Sequence, residues 1–127
     1  PLPIQRPIPI WMGGGANNVV LDWIGRIADG WIPGGTTAEE TKRQVEAIWE
    51  SAKSAGRDPK TIKLLPRVMA PRESTPDHWR SFAKGWYELG AHYIVLNTMR
   101  CGFTEPEQHL QLAKAFKDEL EGIVTKS

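Results

Sequence analysis

Pro9-Ile10-Trp11-Met12-Gly13-Gly14-Gly15-Ala16-Asn17-Asn18 is the stretch whose reading decides the fold. An extended apolar run over 8–12 meets three glycines, and then two asparagines, either of which can cap a helix. Beyond them Val20, Ile24 and Ile27 fall on one helical stripe, with Leu21 and Ala28 beside it. Strand, tight turn and amphipathic helix therefore follow in direct succession.

Three more such units lie downstream. Gly30-Trp31-Ile32-Pro33 runs into Gly34-Gly35-Thr36-Thr37. Thr37-Ala38-Glu39-Glu40 reads as a capping box, in which hydroxyl and glutamate each satisfy a free N–H at the helix start. Val45, Ile48, Trp49 and Ala52 form the buried stripe of that helix, and Gly56 closes it. The third run covers 62–70, where Pro66 points to an edge or a bulge because proline brings no N–H to a ladder. Thr75-Pro76 opens a helix carrying Trp79, Phe82, Ala83 and Trp86, which stops at Gly90. The fourth run is 93–98. Thr104-Glu105-Pro106-Glu107 then joins a second capping box to a proline, and Leu110, Ala113, Phe116 and Leu120 make the last stripe.

Strands alternating with helices imply a parallel sheet with right-handed crossovers. Four βα units in 127 residues are half of a (β/α)8 barrel, which usually takes about 250 residues. The expected fold is therefore α/β, a half TIM barrel with a (βα)4 parallel sheet. Residues 1–127 form one domain behind a proline-rich lead-in at 1–7. Four parallel strands cannot close on themselves and leave two open edges. A second half is expected as partner, either another copy in a homodimer or a separate N-terminal half-barrel. The opening Pro1-Leu2-Pro3 lacks an initiator methionine and reads as a connecting loop inside a longer protein, although processing or trimming explains it equally.

Sixteen basic residues against fifteen acidic ones, scattered along the chain, argue against nucleic acid or an anionic membrane as partner. No run approaches the roughly 18 apolar residues of a membrane span, and the N-terminus lacks the pattern of a signal peptide. Cys101 is a lone cysteine, so a reducing cytoplasm is the default compartment. The hydrophobic share of 40% suits a packed core.

Chemistry concentrates in two loops. Gly13, Gly14, Gly15, Ala16 and Asn17 lead into a helix start, where free N–H groups and the helix dipole attract an anion. Gly34, Gly35, Thr36 and Thr37 have the same character, although helix capping alone accounts for Thr37. A dinucleotide fingerprint fails here, because Asn18 stands where the third glycine belongs and no carboxylate follows the next strand. A Walker A loop is absent too. The histidines lack metal-ligand spacing and suggest no catalytic triad. Arg67 and Arg72, flanking the end of the third run, are weaker phosphate candidates. Trp49, Trp79 and Trp86 read as core, and so does Cys101 as a spectator thiol.

The string Pro7-Ile8-Pro9-Ile10-Trp11-Met12-Gly13-Gly14-Gly15, followed by Arg26-Ile27-Ala28-Asp29-Gly30-Trp31-Ile32-Pro33, resembles the bacterial luciferase-like monooxygenases. Gly56-Arg57-Asp58-Pro59, Gly90-Ala91-His92-Tyr93-Ile94-Val95-Leu96-Asn97-Thr98-Met99 and Glu107-Gln108-His109-Leu110 are similar to the same family, particularly its F420-dependent type. The resemblance covers nearly the whole chain. It implies strands five to eight of a TIM-type barrel that binds FMN or coenzyme F420 at its strand C-termini and acts on a small-molecule substrate. Monooxygenation or hydride transfer is the implied chemistry. It also implies that the two loops above hold the cofactor phosphate. Arg100 departs from the family's small residues after Asn-Thr-Met, and stands where it can pair with a phosphate or remain a solvated loop residue. The resemblance names no catalytic acid or base here. The absent first half would supply the substrate pocket, so the alternative is a non-catalytic, self-associating half-barrel or truncated relative.

Overall fold

In a computed structural model, which describes residues 4–5, 7–15, 17–34, 37–71, 74–91 and 93–124, Asn17 is the residue that caps the first helix. Its side chain accepts the Val19 N–H at 2.9 Å. The order of elements is β1 (Trp11–Gly14), α1 (Asn18–Ile27), β2 (Gly30–Pro33), α2 (Ala38–Ser54), a 3-10 turn at Pro59–Thr61, β3 (Lys63–Leu64), β4 (Arg67–Met69), α3 (Pro76–Glu88), β5 (Val95–Asn97) and α4 (Pro106–Val124).

Every pairing among the described strands is parallel, β1 with β2, β2 with β3, and β4 with β5. The expected third run is not one strand. Leu65 still donates to Trp31 O at 2.9 Å, but Pro66 has no N–H, and its carbonyl instead accepts from Val95. The run therefore serves β2 with its first half and β5 with its second. Pro66 is the point of transfer.

Alternation gives the sheet two faces. Met12, Trp31 and Leu64 face α1 and α2 in one apolar cluster. Val68 meets Trp79 and Phe116 in a second cluster under α3 and α4, and Phe82 packs against both. On the opposite face Trp11 and Tyr93 make an edge-to-face contact at 6.3 Å. Rings from the first and last runs meet across this side, which is the inner, concave one for these two runs.

The helix ends follow local rules. Gly56 (φ +73°) donates to Lys53 O and Arg57 to Ala52 O, the Schellman pattern, and Gly90 with Ala91 repeats it after α3. Thr37 with Glu40 forms the expected capping box. The box expected at Thr104 to Glu107 does not form. Because α4 starts at Pro106, the third helical position is Gln108, and its Oε1 takes the N–H groups of Thr104 and Glu105.

Two stripes need correction. In α1 the buried residues are Leu21, Ile24 and Gly25, whereas Ile27 is 60% exposed and lines up with exposed Val19 and Trp23. In α4 Leu110 is 68% exposed, Ala113 is exposed too, and Leu112, Phe116 and Leu120 face the core instead. A periodic pattern defines an amphipathic helix, but the neighbour decides which of two apolar faces it covers.

Arg57 ties the layers together. Its Nη1 and Nη2 donate to the carbonyls of Gly25 and Ala28 at 2.6 and 2.7 Å, closing the C-terminal end of α1 from beyond α2. Arg57→Ala should lower stability by about 2 kcal/mol in urea unfolding, the scale of losing part-buried charged hydrogen bonds. Gly25 lets α1 lie against α2, since a Cβ there would come within 2.5 Å of Ile48 O and 2.6 Å of Ser51 Cβ. Gly25→Ala should destabilise by about 1–3 kcal/mol, because overpacking outweighs the roughly 1 kcal/mol gain in helix propensity.

Candidate functional site

Both glycine loops leave the sheet at one end, because Gly14 sits in register with Pro33. Trp31 joins them. Its ring is fully buried and its indole N–H donates to Gly14 O at 3.3 Å. Gly14 must be glycine, since its φ is +150° and a Cβ would press on Val20 Cγ1 at 3.2 Å. Beside Gly15 and Gly34 a Cβ would meet nothing within 4 Å, so both loops present open backbone. Ala16, Gly35 and Thr36 lie outside the described residues.

The two helix starts differ in charge. The first turn of α1 carries no acidic residue, and Asn17 uses its side chain on Val19 alone, which leaves this end suited to an anion. At α2, Glu40 accepts from both the backbone N–H and the hydroxyl of Thr37, at 3.0 Å each. Those bonds, the backbone one foremost, hold the Glu40 carboxyl below its ordinary 4.5. A phosphate approaching Thr37 would meet a carboxylate already in place. Of the two helix starts that follow the loops named from sequence, only that of α1 carries no acidic residue in its first turn.

Arg100 lies past the end of β5, exposed and in the left-handed region at φ +63°, with no ion-pair partner among the described residues. Small flexible residues suit that conformation better than arginine. In the same loop Asn97 Oδ1 accepts from Met99 N–H at 2.8 Å. His109 Nδ1 lies 2.8 Å from Thr98 Oγ1, and its ring stands edge-on to Phe103 at 5.0 Å. Phe103 and His109, with 104–106 and Leu110, border a shallow recess of about 480 Å³. Sequence placed His109 only in a first helical turn; its link to Thr98 depends on how α4 docks.

The remaining candidates spread out. Arg67 opens β4 rather than ending a strand, and Arg72 and His92 fall outside the described residues. Trp31, Trp79 and Trp86 are core, whereas Trp11 lies on the concave face. Cys101 is a half-buried free thiol. Among the described residues no three His, Cys, Asp or Glu side chains gather to hold a metal, and no helix is long and apolar enough to cross a membrane.

A model of the luciferase-like monooxygenases matches residues 1–120. The chain belongs to that family. The family motifs noted in the sequence turn out to be scaffold: Gly56 ends α2, Arg57 clamps α1, and Asp58 caps the 3-10 turn through Lys60 N–H. Asp29 likewise pins the lead-in to β1 by accepting from Ile10 N–H at 2.7 Å. Coenzyme F420 dependent tetrahydromethanopterin reductase from Methanopyrus kandleri is 24% identical over 57% of this chain and 21% of its own, with a TM-score of 0.45. An F420-dependent secondary alcohol dehydrogenase, in complex with an F420-acetone adduct, is 13% identical over 91% of this chain and 41% of its own, with a TM-score of 0.46. DmoA from Hyphomicrobium sulfonivorans is 19% identical over 67% of this chain and 22% of its own, with a TM-score of 0.39. The chain thus spans less than half the length of each. No curated protein matches the sequence.

The cap at α2 has a pH signature. Because the Glu40 carboxyl titrates below its ordinary 4.5, its support for α2 is complete above that value and fades as pH falls through the lowered one. The Thr37 amide resonance should therefore shift in acid in the wild type and stay still in Glu40→Gln. Thr37→Ala should cost about 1 kcal/mol in denaturant unfolding.

Proposed function

We propose that this chain is the cofactor-anchoring part of a flavin- or F420-dependent oxidoreductase, forming strands five to eight of a (β/α)8 barrel. The observation that carries the reading is the register of Gly14 with Pro33, which gathers two open glycine loops at one sheet end in a member of the luciferase-like family.

FMN and F420 both carry a phosphate. In this reading the backbone of Gly13, Gly14 and Gly15, with Ala16 and Asn17 at the start of α1, takes that phosphate. Gly34, Gly35 and Thr36 approach it from the neighbouring loop, and Arg100 offers a charge from the last one. Thr37 contributes by holding α2 in place, since its hydroxyl is engaged by Glu40. The bound cofactor supplies the redox chemistry, as hydride transfer or oxygen activation. The chain's own residues bind, orient and exclude water.

A completing half, a separate N-terminal half-barrel or a second copy, would close the cylinder and bring the small-molecule substrate pocket. Two features support this need. Among the described residues the β1 edge has no strand partner beyond β2, and Val19, Trp23 and Ile27 form an exposed apolar row on the helix that follows it. The cytoplasm remains the proposed compartment.

Titration with FMN and with F420, followed by fluorescence, tests the reading. One of them should bind saturably. Gly15→Asp should weaken that binding at least about tenfold, since it sets a carboxylate against the phosphate. Its side chain enters open space, so stability should stay within about 0.5 kcal/mol. A homodimer that binds neither cofactor would instead support the non-catalytic, self-associating reading.

A further inference from the structure

Arg67 is a half-buried arginine that the loops leave unexplained. Its Nε is shut off from solvent and has no hydrogen-bond partner among the described residues. The described ion pairs all lie on the helices, and Arg67 is in none of them. A guanidinium does not shed its proton to escape such a position.

Strand register says where it points. Val68 faces the helices, in contact with Trp79 and Phe116, so Arg67 faces the concave side. The strand positions sharing that face are Ile32, Lys63, Leu65, Met69, Val95 and Asn97, none of them acidic. The fold's described part thus holds no internal counter-ion for it on this face.

The row in which it sits is informative. Gly30 pairs with Lys63 and Trp31 with Leu64, and the Leu65 N–H to Trp31 O bond carries the ladder onward. Arg67 lies two residues further along the same run, past Pro66, where it pairs with Val95 of β5. Because all these strands run in parallel, Arg67 lies on the loop side of the Leu65–Trp31 bond, the side on which Gly14 and Pro33 end their strands.

We propose that Arg67 is a ligand-binding residue whose guanidinium fork receives an anionic oxygen group, phosphate or carboxylate, of the small molecule held at this end of the sheet. This rests on the cofactor reading above and deepens it by naming a cation for the ligand. A planar fork suits either oxyanion, because two parallel N–H groups can meet two oxygens.

The test titrates the chain with FMN, with inorganic phosphate and with acetate, following calorimetry and thermal shift, in wild type, Arg67→Met and Arg67→Lys. Arg67→Met should melt no lower than the wild type without ligand, since it removes an unpaired charge. It should bind the effective anion roughly 10- to 100-fold more weakly, the range expected for hydrogen bonds to a charged group. Arg67→Lys should fall between, because it keeps the charge and loses the fork. Phosphate or acetate, whichever shows the Arg67-dependent loss, identifies the group. FMN binding that is equal in all three proteins overturns the Arg67 assignment and leaves the cofactor reading intact. FMN failing to bind, while a small anion binds in an Arg67-dependent way, removes FMN as the cofactor and keeps the assignment. No Arg67-dependent binding of any probe overturns it, and Arg67 then serves as the partner of a carboxylate on the completing half.

Discussion

The buried indole of Trp31 donating to Gly14 O is the contact on which the arrangement depends. It reaches from the second strand to the loop after the first, and it comes from the same side chain that fills the core under α1 and α2. The position of the anion-suited loop is therefore set by core packing rather than by the loop's own preferences. Glycine-rich backbone has much freedom to lose on ordering. A buried ring hydrogen-bonded to its carbonyl, with Val20 pressing from the following helix, confines it.

The family's sequence signals are mostly instructions for building this frame. Asp29 fastens the lead-in to β1, Gly30 makes room for the Trp11 ring, and Arg57 closes α1 across a distance of about thirty residues in sequence. Similarity of this kind ties the chain to a family while leaving the reaction open. What it preserves is a way of holding loops still. Chemistry must come from groups that the frame leaves exposed or unsatisfied, and here those lie on the concave face and at the strand ends.

The two faces of the sheet are finished to different degrees. The convex face is sealed by four helices, with Trp31, Leu64 and Val68 almost wholly buried. The concave face keeps Trp11 and Tyr93 partly open and carries Arg67, whose Nε has no hydrogen-bond partner among the described residues. Apolar surface and a cation nitrogen shut off from water are both unfavourable when left unmatched.

Much of this was legible in the residues themselves. The caps of Asn17, Thr37 and Thr75, the stops at Gly56 and Gly90, and the break at Pro66 act over three or four positions, and the chain carries such signals whatever surrounds it. The alternation of strand and helix, and so the parallel sheet, follows from the same local information. Only tertiary structure decided which face of α1 and α4 is buried, that Gln108 rather than Glu107 reaches back at the last helix, where Arg57 binds, and that Arg67 pairs with Val95 rather than with β2. Periodicity fixes the spacing of side chains along an element but not its rotation or register. Those are settled by the neighbours it packs against.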